Sequence, residues 1–149
     1  MIYITEIYTD GSCLNHGKEN AHGGWGFVVV LNDEKVYEKC GKLRPGNQTN
    51  NRAELEAVYH AIDYICNEQI SDSEYVVYSD STTCVDGIVG TAVRNANRDI
   101  WEDVENLIKY IHENKSIGFD VRYTKRGNKT YNQDADKLAR TAANSLLIK

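Results

Sequence analysis

The sequence has few of the features that mark secreted, membrane and modular proteins. It has a single proline among 149 residues and its 11 glycines are scattered, so no flexible linker divides it. No apolar run approaches the roughly 18–20 residues that a membrane-spanning helix needs. The start has neither the basic nor the apolar segment of a secretory signal. We therefore expect a single domain over residues 1–149, no membrane association and no secretion.

The cysteines also lack a pattern, because the four of them lie far apart and form no C-x-x-C pair. This spacing argues against a zinc site and against a disulfide framework. Scattered, reduced cysteines are usual in cytosolic proteins. We expect a cytoplasmic protein, and we also expect a monomer.

Positive charge is scarce overall but is concentrated at one end. The net charge is −5, from 17 basic and 22 acidic residues, which by itself argues against a nucleic-acid partner. Residues 115–149, however, carry 8 basic and 3 acidic residues. Bound divalent cations would also offset part of the acidic count. The charge therefore permits a nucleic-acid partner without indicating one.

The spacing of apolar residues predicts five strands and four helices in the order βββαβααβα. We expect strands at 2–10, 24–31, 35–43, 75–79 and 119–124, and helices from 51, at 81–88, at 99–112 and from 132. Asn32-Asp33 favours a hairpin between the second and third strands. An antiparallel meander followed by βα units predicts an α/β fold, with a mixed sheet covered by helices.

Two acidic residues end predicted strands, Asp10 after residues 2–9 and Asp80 after residues 75–79. Ligand crevices open at the carboxyl ends of strands in α/β sheets. Asp is also a common turn residue, so each acid alone has a structural explanation. Together with two further acids on helices, they suggest a group of hard oxygen ligands for a divalent metal.

The helical acids, Glu54 and Asp136, each allow two interpretations. Glu54 stands three residues after Asn51, which is a capping-box spacing, yet it also borders the buried stripe of its helix. Asp136 falls in the first predicted turn of the last helix, where the helix dipole favours an acid. Asp134 is a neighbouring acid that could serve as the cap itself. The pattern alone does not separate a structural from a catalytic role.

Four segments in this order resemble ribonuclease H of type 1. They are Tyr8-Thr9-Asp10-Gly11-Ser12-Cys13 followed by Gly23-Gly24-Trp25-Gly26, then Thr49-Asn50-Asn51-Arg52-Ala53-Glu54-Leu55, Tyr78-Ser79-Asp80-Ser81 and Ala135-Asp136-Lys137-Leu138-Ala139. The resemblance implies a ribonuclease-H-like fold, a five-stranded mixed sheet whose second strand is antiparallel to the rest, with helices on both faces. It also implies that the catalytic and metal-binding carboxylates are Asp10, Glu54, Asp80 and Asp136.

The resemblance further implies hydrolysis of the RNA strand of RNA·DNA hybrids by two-metal-ion catalysis, which leaves 5′-phosphate and 3′-hydroxyl ends. The expected cofactor is two Mg²⁺ ions, with Mn²⁺ as the alternative. Removal of replication primers is the expected use. By the same resemblance, substrate-binding residues are Gly11, Ser12, Thr49, Asn50, Asn51 and Arg52, with Thr49 on a DNA phosphate and Arg52 also open to a structural role.

Three departures from the family pattern bear on these expectations. The loop of residues 14–22 is long and has no proline, and residues 87–98 are too short for the basic protrusion that many relatives carry. The catalytic histidine of the family is absent, and residues 123–129 read Tyr-Thr-Lys-Arg-Gly-Asn-Lys in its place. We expect Lys125 and Arg126 to bind phosphate there instead.

Two other function classes remain open from the sequence. The first is a ribonuclease-H-like nuclease acting on DNA, since the same set of carboxylates can cleave DNA. The second is a non-catalytic domain that binds hybrids, which would tolerate the loss of an acid. The Asn50-Asn51-Arg52 block before Glu54 favours the RNA-cleaving branch.

Overall fold

The computed structural model describes residues 3–15, 18–68, 73–90, 96–114, 117–124 and 130–144. Within these residues it has five strands and four helices, in the predicted order. The strands are β1 (Tyr3–Leu14), β2 (His22–Leu31), β3 (Glu34–Lys42), β4 (Ser73–Ser79) and β5 (Gly118–Tyr123). The helices are α1 (Asn50–Asn67), α2 (Thr82–Val89), α3 (Arg98–Asn114) and α4 (Thr130–Asn144). None of these helices is long and apolar enough to cross a membrane.

The strands form one sheet in the order β3-β2-β1-β4-β5. β2 is antiparallel to both of its neighbours, whereas β1, β4 and β5 run parallel to one another. The second strand is therefore antiparallel to the other four, and the predicted fold is confirmed. Asn32 and Asp33 form the predicted hairpin with φ values of 53° and 62°, a conformation that Asn and Asp tolerate better than most residues.

Helices cover the sheet on both faces because alternate side chains of each strand point to opposite sides. Ile7, Phe27 and Val77 face α1, α2 and α3, and this side holds the larger core. Tyr8, Val28 and Val30 face α4. The apolar stripes that predicted the helices are the surfaces buried here.

Several element boundaries differ from the sequence expectation, and those of β1, α1 and α4 affect the acids. β1 does not end at Asp10 but continues to Leu14, because its antiparallel pairing with β2 extends to Leu14 and His22. The parallel pairing of β1 with β4 stops earlier, at Tyr8 and Tyr78. The end of the β1–β2 hairpin therefore projects beyond β4, while β3 accompanies β2 as far as Gly24 and Lys42.

The first helix is capped by Thr49 and not by Asn51. The Thr49 hydroxyl accepts a hydrogen bond from the Arg52 backbone N–H at 3.1 Å, and the helix begins at Asn50. The capping-box explanation for Glu54 is therefore wrong. α4 begins at Thr130, so Asp134 lies inside the helix rather than at its cap, and Asp136 lies in the second turn and not, as was expected, in the first.

Candidate active site

Three carboxylates meet where β1 leaves its pairing with β4. Asp10 on β1, Glu54 in the second turn of α1 and Asp80 after β4 each place a carboxylate oxygen within 4.8 Å of the others. Asp10 and Glu54 are buried, with 4% and 6% of their surface exposed, and Asp80 is half-buried. The residues come from three separate parts of the chain, as predicted.

Gly11 allows α1 to approach β1 closely enough to bring Glu54 to this cluster. A Cβ atom on Gly11 would overlap the backbone atoms of Ala53 and Glu54. No side chain larger than hydrogen fits there, because protein interiors are close-packed. Gly11 therefore sets the distance between Asp10 and Glu54.

Glycines play the same role for α4 on the other face of the sheet. A Cβ on Gly24 would overlap the backbone of Ala143, and one on Gly26 would lie 2.7 Å from the Cβ of Leu138 and 2.9 Å from the Ala139 nitrogen. Gly26 is the β2 partner of Asp10. The close packing of α4 on β2 therefore brings this helix, with Asp136, beside Asp10.

Asp136 completes the acidic group from the α4 side. Its carboxyl lies within hydrogen-bonding reach of the Asp10 carboxyl. On its other side, Arg140 Nε donates to Asp136 Oδ1 at 3.2 Å, and Arg140 Nη2 lies 3.2 Å from Asp136 Oδ2. Asp134, two residues earlier, instead lies 4.0 Å from Lys35 Nζ. The geometry therefore groups Asp136, and not Asp134, with Asp10.

The neighbouring acids and burial strongly perturb the pKa of Asp10. Burial raises the pKa of Asp10 far above its ordinary value of 3.8, and the hydrogen bond with Asp136 and the charges of Asp80 and Glu54 raise it further. A carboxylate that loses water and gains negative neighbours favours its neutral form. A bound cation would reverse this balance, because it supplies the opposite charge at the centre of the group.

The donor set fits a divalent metal. Its oxygens are carboxylate ligands of the kind that Mg²⁺ and Mn²⁺ prefer, and soft sulfur ligands are not part of the cluster. Asp10, Glu54 and Asp80 would hold the ion, and Asp136 lies close enough to Asp10 to contribute to a second position.

Comparison with known proteins decides the family. The family model named RNase H matches residues 4–144. This chain belongs to the ribonuclease H family. A ribonuclease H of Clostridium botulinum is 32% identical over 146 residues, which cover 91% of this chain and 93% of the relative. A ribonuclease H of Campylobacter jejuni is 33% identical over 143 residues, which cover 93% and 90%. The chain is therefore a ribonuclease H enzyme, as the sequence predicted.

Solved ribonuclease H structures have the same fold. RNase H1 from Halobacterium salinarum superposes with a TM-score of 0.73 at 21% identity, over 93% of this chain and 96% of that one. LC11-RNase H1 in complex with an RNA/DNA hybrid superposes with a TM-score of 0.74 at 23% identity, again over 93% and 96%. At these identities the likeness establishes the fold.

The substrate-binding residues predicted for this ribonuclease H fall into two groups. Gly11, Ser12, Thr49, Asn50 and Asn51 lie at the projecting hairpin or at the start of α1, beside the carboxylates. Among them, Asn50 Oδ1 accepts a hydrogen bond from the Cys13 N–H at 2.9 Å, so the Asn50 NH₂ group is the part available to donate to a ligand. Asn51 is exposed on the first turn.

Arg52 is placed differently. Its guanidinium donates to both carboxylate oxygens of Asp99, at 2.9 and 2.8 Å, and to the Pro45 carbonyl at 2.6 Å. Only 4% of the residue is exposed. These contacts join α1, α3 and the preceding loop, which favours the structural role. Lys125 and Arg126 lie outside the described residues, so their phosphate-binding role stays a prediction.

The roles of several residues that shape the site were not identified from the sequence. Gly24 and Gly26 belong to the segments that resemble ribonuclease H, but only the passage of α4 over them shows what they do. Arg140 had a readable signal, since it stands four residues after Asp136, a spacing that pairs charges on a helix. Gln48 was not singled out in the sequence, although its side chain forms hydrogen bonds with three backbone groups next to the site.

Proposed function

We propose that this ribonuclease H hydrolyses the RNA strand of RNA·DNA hybrids with the aid of two Mg²⁺ ions and leaves 5′-phosphate and 3′-hydroxyl ends. The observation that carries the proposal is the convergence of Asp10, Glu54 and Asp80, with Asp136 adjoining Asp10. Membership of the family and the hybrid complex of a protein with the same fold support the choice of substrate.

The four acids would divide the work by position. Asp10 is buried between the acids from both faces of the sheet, so it would contribute to both metal positions. Glu54 and Asp80 would complete one position and Asp136 the other. When bound, the ions lower the pKa of the attacking water and stabilise the leaving oxygen. Arg140 orients the Asp136 carboxylate through its two contacts.

Selection of RNA requires contact with the 2′-hydroxyl, the group that distinguishes RNA from DNA at a given site. The start of α1 supplies side-chain amides for it at Asn50 and Asn51, within one helical turn of Glu54. The backbone of Gly11 and Ser12 continues this surface along β1. We propose that these residues bind the sugar edge of the RNA strand while the carboxylates act on its phosphate.

A cleavage assay with matched substrates tests the proposal. Labelled RNA·DNA hybrid, duplex DNA and duplex RNA of one sequence would be incubated with the protein in Mg²⁺, in Mn²⁺ and in EDTA. We expect the RNA strand of the hybrid to be cut only with metal, and polynucleotide kinase to label the new 5′ ends only after phosphatase treatment. Cleavage of duplex DNA in preference to the hybrid would instead identify a DNA nuclease.

Removal of RNA primers and stray hybrids is the cellular use that we propose for this activity.

A further inference from the structure

The loop before α1 is fastened to the projecting end of the β1–β2 hairpin through one side chain. Gln48 Oε1 accepts a hydrogen bond from the Gly23 N–H on β2 at 2.9 Å. Gln48 Nε2 donates to the carbonyl of Arg44 at 3.0 Å and to that of Gly46 at 3.2 Å. The amide therefore closes the loop on itself and joins it to the hairpin.

Two neighbouring contacts join the same two segments. The Cys13 thiol donates to the Gln48 carbonyl at 3.1 Å, and the Cys13 N–H donates to Asn50 Oδ1 at 2.9 Å. Cys13 and Gly23 are partners in the β1–β2 ladder, so these bonds and the Gln48 amide act on one rung of the hairpin. Thr49 and Asn50 follow directly after Gln48, and they are the cap and the first residue of α1.

The carboxylates are positioned by other contacts. Glu54 is held against Asp10 by the packing of the Ala53–Glu54 backbone on Gly11. The start of the loop is tied to the second turn of α1, because the Arg44 N–H donates to Glu56 Oε1 at 2.7 Å. Loosening of Gln48 would therefore release the segment that carries Asn50 without displacing the metal ligands.

We propose that Gln48 is a positioning residue for substrate recognition, which fixes Asn50 and Asn51 where they meet the RNA strand. It acts through these asparagines and does not touch the reacting phosphate. The inference rests on the proposed function, because it assigns Gln48 to the binding of the hybrid rather than to the chemistry. A role of this kind changes KM and leaves kcat nearly constant, since uniform binding is lost.

The test compares three variants with the wild type in steady-state cleavage of the hybrid. Gln48→Met keeps the size of the side chain and removes its three hydrogen bonds. Gln48→Glu keeps an acceptor for the Gly23 N–H and loses the donor to Arg44 and Gly46. Asn67→Ala is the matched control, because it removes an amide hydrogen bond to Asp63 at the far end of α1.

We expect Gln48→Met to raise KM by about 3- to 10-fold, the effect of losing about one hydrogen bond from Asn50 or Asn51 to the RNA strand, with kcat within about twofold of the wild type. Gln48→Glu should give an intermediate KM, and Asn67→Ala an unchanged one. Gln48→Met should melt a few degrees below the wild type because its hydrogen bonds are lost, whereas the Mg²⁺-induced rise in melting temperature should be close to wild type for every variant, since the carboxylates stay in place.

An unchanged KM for Gln48→Met would overturn the proposal, and so would a fall in kcat at constant KM. A loss of activity in proportion to a loss of stability would also overturn it, because that pattern belongs to a merely structural residue. If Gln48→Met does not fold, Gln48→Glu decides by the same criteria. Failure of the proposed function is distinguishable, because the wild type would then not cleave the hybrid.

Discussion

Removal of one negative charge at the acidic cluster should stabilise the metal-free enzyme while abolishing its activity. Asp10→Asn keeps the shape of the side chain and the acceptor for the Gly11 N–H, which donates to Asp10 Oδ1 at 2.9 Å. It removes the charge that burial, Asp80 and Glu54 all oppose. In EDTA, we therefore expect the variant to unfold at a higher temperature than the wild type.

The gain in the free energy of unfolding has an upper limit, because a buried carboxylate among negative charges can bind a proton and become neutral. The ordinary pKa of Asp, 3.8, lies about 3 units below pH 7, and each unit corresponds to about 1.4 kcal/mol. The gain at pH 7 is therefore at most about 4 kcal/mol, and a value of about 2 kcal/mol would raise the melting temperature by roughly 4–8 °C.

The pH dependence of stability is a separate check that the Asp10 charge destabilises the metal-free fold. The folded pKa of Asp10 is raised, so its favourable contribution is complete below 3.8 and is lost as the pH rises toward the folded pKa. In EDTA, stability from pH 5 to pH 8 should therefore fall more in the wild type than in Asp10→Asn. Saturating Mg²⁺ should stabilise the wild type, since it binds only the folded state, and should affect the variant little.

Thermal melts of both proteins in EDTA and in Mg²⁺, together with the hybrid cleavage assay, check these statements. Glu102→Gln, which neutralises an exposed acid on α3, is the control for a change of net charge. The reasoning would be refuted if Asp10→Asn were less stable than the wild type in EDTA. Normal turnover by the variant would refute the catalytic assignment.

Three further predictions follow from the packing around the site. Gly11→Ala should destabilise the fold by about 1–3 kcal/mol and lower kcat, because the added methyl group forces α1 away from β1. The control in the urea melts and cleavage assays is Gly118→Ala, whose added methyl group meets only the flexible Glu74 side chain at 3.0 Å. Arg52→Met should cost about 1–3 kcal/mol through loss of the charged bonds to Asp99, without changing the salt dependence of hybrid binding; a reduced salt slope would mean that Arg52 contacts phosphate. Burial against Trp25, and to a lesser degree the charges of Lys39 and Arg44, lowers the pKa of His60 from 6.5 to about 3. The free energy of unfolding should therefore fall as the pH drops from about 6.5 toward 3. His60→Phe should weaken this fall in urea melts at pH 4.5 and pH 7, and an equal fall in both proteins would contradict the argument.

Local patterns were sufficient to predict an α/β fold with a mixed sheet, and the resemblance to ribonuclease H then singled out the four acids as catalytic. The alternation of β1, the apolar run of β2 and the helical stripe of α1 depend on neighbours in sequence, so their periodicity could be read directly. The order of the elements then restricted the sheet to a mixed topology. The four acids were found because each lies in a short motif next to such an element.

Boundaries and partners depended on contacts between distant residues. The extension of β1 to Leu14 arises from its pairing with β2, whose partner residues are up to 26 positions away in the chain. Arg52 could be read as a substrate ligand or as a structural residue until Asp99 and Pro45 were seen around it. Residues with two plausible roles are assigned only when their partners are known.

The sequence by itself determined which residues are the candidates for the chemistry, because four carboxylates lie in segments that resemble those of ribonuclease H. The tertiary structure alone decided how those carboxylates meet. Gly11, Gly24 and Gly26 admit helices from both faces of the sheet, and Gln48 fastens the loop that precedes α1. Such close approaches depend on the absence of a side chain at one point and on backbone groups far along the chain, and neither leaves a periodic signal in the sequence.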